Sequence, residues 1–242
     1  MSKLLCLDCE TTGLDLNKHG IVQLAMLMDI DNYLEDSLLV KMQPFEDDWI
    51  ADSSLNWAAA KAEIPRNEFW SAYQTPTGIP YSEIVNYQLP AEGMVQVITF
   101  LDKWFDKFKV SDKAFICGYN VRDFDLWFLK AFFKKNDNPF LGSYINWKCL
   151  DPMYILWELD WKQRPGYPLE NYKLPTVAKA FDIEHTPHDP MSDIKVTREL
   201  WYKLTRSTEI KPCCICGVRG EEQWHGDWWC KLHLDIHVRE RQ

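Results

Sequence analysis

Apolar positions in the first forty residues come in short runs separated by polar breaks, a spacing that suits strands. Residues 4–7 are continuously apolar and end at Asp8, as in a strand buried on both faces. Thr11, Thr12 and Gly13 interrupt the run. Over residues 21–30, Val22, Leu24, Met26, Met28 and Ile30 fall on alternate positions, which predicts a second strand. Residues 38–42 make a third, stopped by Pro44, and three strands in succession suggest an antiparallel meander. The period then changes. Met94, Val97, Ile98, Leu101, Phe105 and Phe108 recur at helical spacing. A fourth strand is expected at 114–117, an amphipathic helix at 126–133, a fifth strand at 147–150, and helices at 152–159 and 175–181. A last helix carries Ile194, Thr197, Leu200, Trp201 and Leu204. Asp189 suits its N-cap and Pro190 its first helical position, where no amide hydrogen is needed.

Strands first, then alternating helices and strands, describe an α/β protein with a mixed sheet flanked by helices. Between them, residues 44–90 hold Pro65, Pro76 and Pro80 with Trp49, Trp57 and Trp70, and read as an irregular insertion with a helix near 55–62. Internal repeats and low-complexity segments are absent. The pattern divides the chain into a main domain over 1–205 and a small segment over 206–242.

Composition narrows the class. With 46% hydrophobic and 26% charged residues among 242, the chain reads as an ordinary globular protein. No apolar run approaches the roughly 18 residues of a membrane span. The N-terminus enters directly into an apolar strand rather than a signal-peptide pattern, so a cytoplasmic location is the default expectation. Net charge is −9, which argues against a long, broadly basic nucleic-acid groove and suggests distributive action or a protein partner. From residue 206 onward six Lys/Arg balance six Asp/Glu, so the charge belongs to the main domain. Carboxylates that hold metal contribute formal negative charge of this kind.

Three acidic clusters sit at element boundaries. Asp8 and Glu10 leave the first strand two positions apart, so both face the same side, and hard divalent ions take oxygen ligands. Asn120, Asp123 and Asp125 join the fourth strand to its helix. His188 and Asp193 bracket the start of the last helix. Taken alone, each has an ordinary structural reading: a solvated turn, a helix cap, an exposed helix carboxylate.

Together, and in this order, they resemble the three motifs of the DEDD exonuclease superfamily, in the subgroup whose base is histidine. Asp8-Cys9-Glu10-Thr11-Thr12-Gly13-Leu14 is similar to the first motif, Asn120 to Asp125 to the second, and His188 to Asp193 to the third. Asn146-Trp147, Leu150-Asp151, Asn171 to Leu174, Ile183-Glu184-His185 and His188 to Met191 are further similar to the bacterial exonuclease I family, which digests single-stranded DNA. The resemblance covers residues 3–204. It departs from the family at Pro190, where a small residue is usual.

The resemblance implies a ribonuclease H-like fold and 3′→5′ exonuclease activity releasing nucleoside 5′-monophosphates, with single-stranded DNA favoured over RNA. It implies that Asp8 bridges two Mg²⁺ or Mn²⁺ ions, that Glu10 and Asp193 complete one site, and that Asp125 completes the other. Asp125 is favoured over Asp123 because the helix follows it directly. Two such ions roughly 3.5–4 Å apart stabilise both attacking and leaving oxygens. His188 then takes a proton from the metal-bound water; its ordinary pKa near 6.5 suits that task. The backbone through Thr11, Thr12, Gly13 and Leu14 is expected to hold the terminal 3′ nucleotide, with Leu14 against a base and Asn120 hydrogen-bonding nearby. Stacking platforms for unpaired bases are sought in Trp49, Trp57 and Trp70.

The tail carries different chemistry. Cys213 and Cys216 form one pair at x₂ spacing, Cys230 and His233 another, with thirteen residues between. That is the arrangement of a structural Zn²⁺ site with four protein ligands and no open position for catalysis. Cys214 is left over, and His225 and His237 are substitutes. A segment this short needs metal for much of its folding free energy. The alternative to an exonuclease is a catalytically silent module that binds nucleic acid or protein through this zinc segment. The presence of all four carboxylates and the histidine argues against it.

Overall fold

The computed structural model describes residues 3–48, 75–76, 78–164, 166–205, 222–224 and 227–229. The helix expected near 55–62, the tryptophans Trp49, Trp57 and Trp70, and the zinc residues Cys213, Cys216, Cys230 and His233 lie outside the described residues. The chain divides into two compact units, Met1–Trp201 and Tyr202–Gln242.

Unit one is built on a five-stranded mixed sheet. β1 (Lys3–Thr11), β2 (Ile21–Ile30) and β3 (Tyr33–Lys41) form the expected antiparallel meander. β4 (Ala114–Cys117) and β5 (Ile145–Leu150) extend the other side in parallel, giving the order β3-β2-β1-β4-β5. The β2–β3 turn places Asp31 and Asn32 at positive φ, 50° and 75°. Short polar side chains tolerate that region, and a two-residue hairpin requires it.

Helices fill the connections: α1 (Tyr81–Ile84), α2 (Pro90–Trp104), α3 (Asp125–Lys135), α4 (Leu141–Tyr144), α5 (Pro152–Trp161), α6 (Leu174–Ala180) and α7 (Pro190–Thr205). Leu5, Leu7 and Cys9 of β1 share one face of the sheet with Leu24, Met26 and Met28 of β2. That face packs in one core with Val97 and Leu101 of α2 and Leu129 and Phe133 of α3. Each such leucine, fully buried, contributes roughly 1.5–3 kcal/mol over an exposed one.

Three local departures from the sequence pattern have simple causes. β2 alternates in sequence, yet Ala25 and Leu27 on its second face are fully buried as well, because α7 packs on that face, where its Arg198 meets Asp29 of β2. β3 begins five residues earlier than its apolar pattern, since an edge strand accommodates polar residues such as Glu35, which is exposed, and Asp36, which accepts from Lys103 and Trp104 of α2. The helix over Met94 stops at Trp104, short of Phe108. Phe105 is extended, and the Asp106 carboxylate takes the Phe108 amide at 3.0 Å, offering the backbone a turn in place of helix.

The start of α7 follows the sequence reading. Asp189 Oδ1 accepts from the Met191 amide at 3.1 Å, and the Asp189 carbonyl accepts from Asp193 at 2.9 Å. Asp151 caps α5 in the same manner, accepting from Met153 at 3.0 Å. Such caps contribute about 1 kcal/mol each. In unit two, the described residues include an antiparallel hairpin of β6 (Glu222–Trp224) and β7 (Asp227–Trp229). No helix among the described residues is long and apolar enough to cross a membrane.

Candidate active site

Side chains alternate along β1, so Leu5, Leu7 and Cys9 enter the core while Asp8 and Glu10 share the opposite face. β1 also outruns its neighbour. It pairs with β4 only from Leu4 to Cys6, against Phe115 to Cys117, so its β4-side edge is open from Leu7 onward.

The chain leaving β4 closes that gap. A Cβ on Gly118 would stand 2.8 Å from the Leu7 carbonyl oxygen and 2.4 Å from Cβ of Val121, so glycine alone lets the backbone pass this close. Asn120 then turns the chain at φ 62°, and its carbonyl accepts from the Asp123 and Phe124 amides. α3 begins at Asp125, whose carboxylate returns to β1. Asp125 Oδ1 accepts from the Cys9 amide at 2.9 Å and lies 3.1 Å from the Cys9 thiol. A side chain thus replaces the missing strand partner, and burial keeps the thiol protonated as a donor by pushing its pKa well up.

α7 brings the fourth carboxylate. Oxygen atoms of Asp8, Glu10 and Asp193 lie within 4.8 Å of one another, Glu10 being buried and the two aspartates half-buried. His188 stands at φ 63° just before α7 and is exposed; its charge reaches Asp193 and favours the ionised carboxylate. Direct contact with Asp193 comes from His185, whose Nε2 lies 2.5 Å from Oδ1.

Electrostatically this is a crowded anionic site. Asp8 is held well above the ordinary carboxylate range, first by burial, then by the charges of Asp125, Asp193 and Glu10. Burial raises Asp125 to about 7 despite the hydrogen bonds from Cys9. Asp193 is raised by burial, with His185 and His188 acting in the opposite sense. Oxygen donors packed this closely, with like charges raising one another's proton affinity, fit a hard divalent cation that would relieve the repulsion.

The remaining expected residues lie at the end of β1 and on the turns that follow β1 and β4. Asp123 is exposed and accepts from the Tyr154 hydroxyl at 2.6 Å, while Asp125 is the one that meets β1. Thr11 and Thr12 are buried, and their hydroxyls close the following loop: Thr11 donates to the Gly13 carbonyl at 2.7 Å, and Thr12 accepts from the Gly20 amide at 3.1 Å. Gly13 lies against the His19 ring. Leu14 projects from this braced loop at 75% exposure. Three contributors fall within the quoted motifs, but the sequence assigns them no role. Cys9 reads as a packed thiol, and His185 as one of several histidines. Asp151, raised to about 6 by burial and drawn back by the amides of Met153, Asn120 and Val121, underlies the turn that carries Asn120. Its signal was the Asp-Pro pair it shares with Asp189-Pro190.

A profile of the RNase_H superfamily matches residues 81–206, which is more than half of the chain. The chain belongs to the RNase_H superfamily. No curated protein sequence matches it. Among solved structures, this superfamily member is similar in fold to exonuclease I of E. coli bound to a dT13 oligonucleotide, with 20% identity and a TM-score of 0.58 over 83% of this chain. It is also similar to the zinc-bound form of the E. coli exonuclease I complex with single-stranded DNA, at 18% identity and a TM-score of 0.59 over 83% of this chain. The match covers 40% and 39% of those chains respectively, so this RNase_H-superfamily chain aligns with about two-fifths of the length of the proteins it resembles.

The cluster makes stability depend on pH and metal together. A carboxyl whose pKa rises on folding stabilises the fold while protonated. For Asp125 that contribution is present below its ordinary 3.8 and lost as pH rises through about 7. Without added divalent ion, the melting temperature therefore falls across that window. At pH 8, Mg²⁺ or Mn²⁺ restores it, by about 2.7 kcal/mol at a hundredfold excess over Kd. Asp8→Asn raises the metal-free melting temperature at pH 8 and abolishes the metal-dependent rise. Thermal melts of the two proteins, with equal metal response in both as the contrary outcome, test the site without reference to activity.

Proposed function

We propose that the protein is a divalent-metal-dependent 3′→5′ exonuclease that releases nucleoside 5′-monophosphates, preferentially from single-stranded DNA. The observation that carries this reading is the convergence of Asp8, Glu10 and Asp193 within 4.8 Å at the point where Asp125 docks on Cys9. Carboxylates from three separate chain segments meet at one place. Mg²⁺ or Mn²⁺ held by these four carboxylates would stabilise the charge on the attacking and leaving oxygens of a phosphodiester.

The chain's own groups supply the rest. His188, exposed beside Asp193, takes a proton from the attacking water; its position on a left-handed turn leaves the ring free to reach the substrate. His185 fixes the rotamer of Asp193 through its 2.5 Å contact, a supporting hydrogen bond of the kind that orients metal ligands. Leu14 packs on the terminal base from a loop whose internal hydrogen bonds hold it in place. The preference for single-stranded DNA draws on the fold likeness to exonuclease I, whose crystals contain single-stranded oligonucleotides.

A gel assay with 5′-labelled single-stranded DNA and RNA tests the proposal. The expected outcome is a ladder shrinking from the 3′ end with Mg²⁺ or Mn²⁺, faster on DNA. Asp8→Ala and His188→Ala should each lower the rate on the order of a thousandfold. Intact oligonucleotides under every metal would reject the assignment, and binding without cleavage would point to the silent module instead.

For unit two, we infer a structural Zn²⁺ held by Cys213, Cys216, Cys230 and His233. In the sequence the β6–β7 hairpin lies between the two ligand pairs, and its antiparallel pairing sets Glu222, which follows the first pair, opposite Trp229, which precedes the second. Elemental analysis of purified protein should give one zinc per chain, falling to a small fraction in Cys213→Ser. Undetectable zinc in the native protein rejects the site.

A further inference from the structure

The loop that follows Glu10 and the helix that begins at Asp125 both start at the carboxylate cluster, and a groove of about 490 Å³ runs between them. One wall is Leu16 and Asn17; the other is the outer face of α3, with Trp127, Lys130, Lys134 and Lys135. Trp127 is 51% exposed and Trp147, on neighbouring β5, is 50% exposed. The Lys130 ammonium sits between them, 5.0 Å from one ring centroid and 5.7 Å from the other.

The charge of this face opposes that of the molecule. Net charge is −9, yet α3 carries three lysines, and its one acidic residue, Asp125, is buried against β1. Lys135 is paired with Asp48. Among the described residues, neither Lys130 nor Lys134 has a carboxylate partner. Half-exposed indoles alternating with unpaired ammonium groups match one ligand chemistry well: a flexible chain of phosphates bearing unstacked bases. A duplex hides its base faces, and an apolar peptide would leave the lysines unused.

We propose that this groove is the path of the single strand upstream of its 3′ end, with bases stacking on Trp127 and Trp147 and phosphates meeting Lys130 and Lys134. The inference rests on the exonuclease reading for its direction, since both walls lead away from the carboxylates. It assigns grip to a short aromatic and basic face in a protein whose overall charge repels nucleic acid, and that face lies outside the insertion that carries Trp49, Trp57 and Trp70.

The test is equilibrium binding of fluorescein-labelled dT12 and rU12 to the full chain, by anisotropy, without divalent ion so that no cleavage occurs. Trp127→Ala should weaken dT12 binding about tenfold and leave its salt dependence unchanged. Lys130→Ala should weaken it and also flatten the slope of log K against log salt by about 0.7, the signature of one lost phosphate contact on a single strand. Lys179→Ala, the same charge change on α6, should bind within about twofold of wild type. Circular dichroism confirms that these surface variants fold. Stronger binding of dT12 than rU12 assigns the groove to DNA, and the reverse assigns it to RNA.

The proposal is overturned if wild type fails to bind either oligomer, or if Trp127→Ala and Lys130→Ala bind as Lys179→Ala does. Its failure is separable from that of the exonuclease reading. Strands bound through these residues but never shortened under Mg²⁺ or Mn²⁺ would remove the activity and keep the groove. Strands shortened equally fast by wild type and both groove variants would do the opposite.

Discussion

Four carboxylates at the end of β1 repel one another, and much of the surrounding architecture holds them together regardless. Asp8 and Glu10 are forced onto one face by the strand period. Asp125 is fixed by the Cys9 amide and thiol, and Asp193 by a capped helix start and by His185. Each restraint is ordinary; their convergence on like charges is not, because it works against folding above the carboxylates' usual pKa. Local strain or repulsion of this kind persists only where the surrounding structure over-determines it, and it gathers at functional sites.

The topology explains why the site lies where it does. β4 is only four residues long, so β1 runs on without a partner on that side. The turn through Gly118 and Asn120 returns the chain to the exposed edge as a helix, and the first residue of that helix supplies the acceptor for Cys9. A longer β4 would carry Asp125 beyond reach of β1. The loop after Glu10 and helix α3 then diverge from this point, which makes the two walls of a groove out of the same pair of elements that contribute to the carboxylate cluster.

Most of this frame was legible in the sequence because its cause is hydrophobic period. The meander, α2, α3 and α7 all follow from apolar spacing, and the Asp-Pro pair at 189–190 marks a helix start that forms as expected. The boundaries that shifted did so for reasons that periodicity does not carry: an Asp106 turn that competes with helix at Phe108, and an edge strand whose polar residues conceal its length. The acidic residues were legible as motifs, but their mutual distances were not. The helix that follows Asp125 directly favoured it over Asp123, but its contact with Cys9 depends on how β1 and α3 pack. Net charge pointed away from a basic nucleic-acid surface, since a sum over 242 residues averages out the lysines of a single helix face. Trp127 and Trp147 flank Lys130 only because β5 lies beside α3, a neighbourhood that the nineteen residues between them in sequence conceal.

The central claim is that these carboxylates form a two-ion site. Electron paramagnetic resonance with two equivalents of Mn²⁺ per chain and a nucleoside 5′-monophosphate tests it most directly. The account predicts loss of the free-ion signal and a spectrum of two magnetically coupled ions, absent in Asp8→Asn. Free Mn²⁺, or only an isolated bound ion in the wild-type protein, would contradict it.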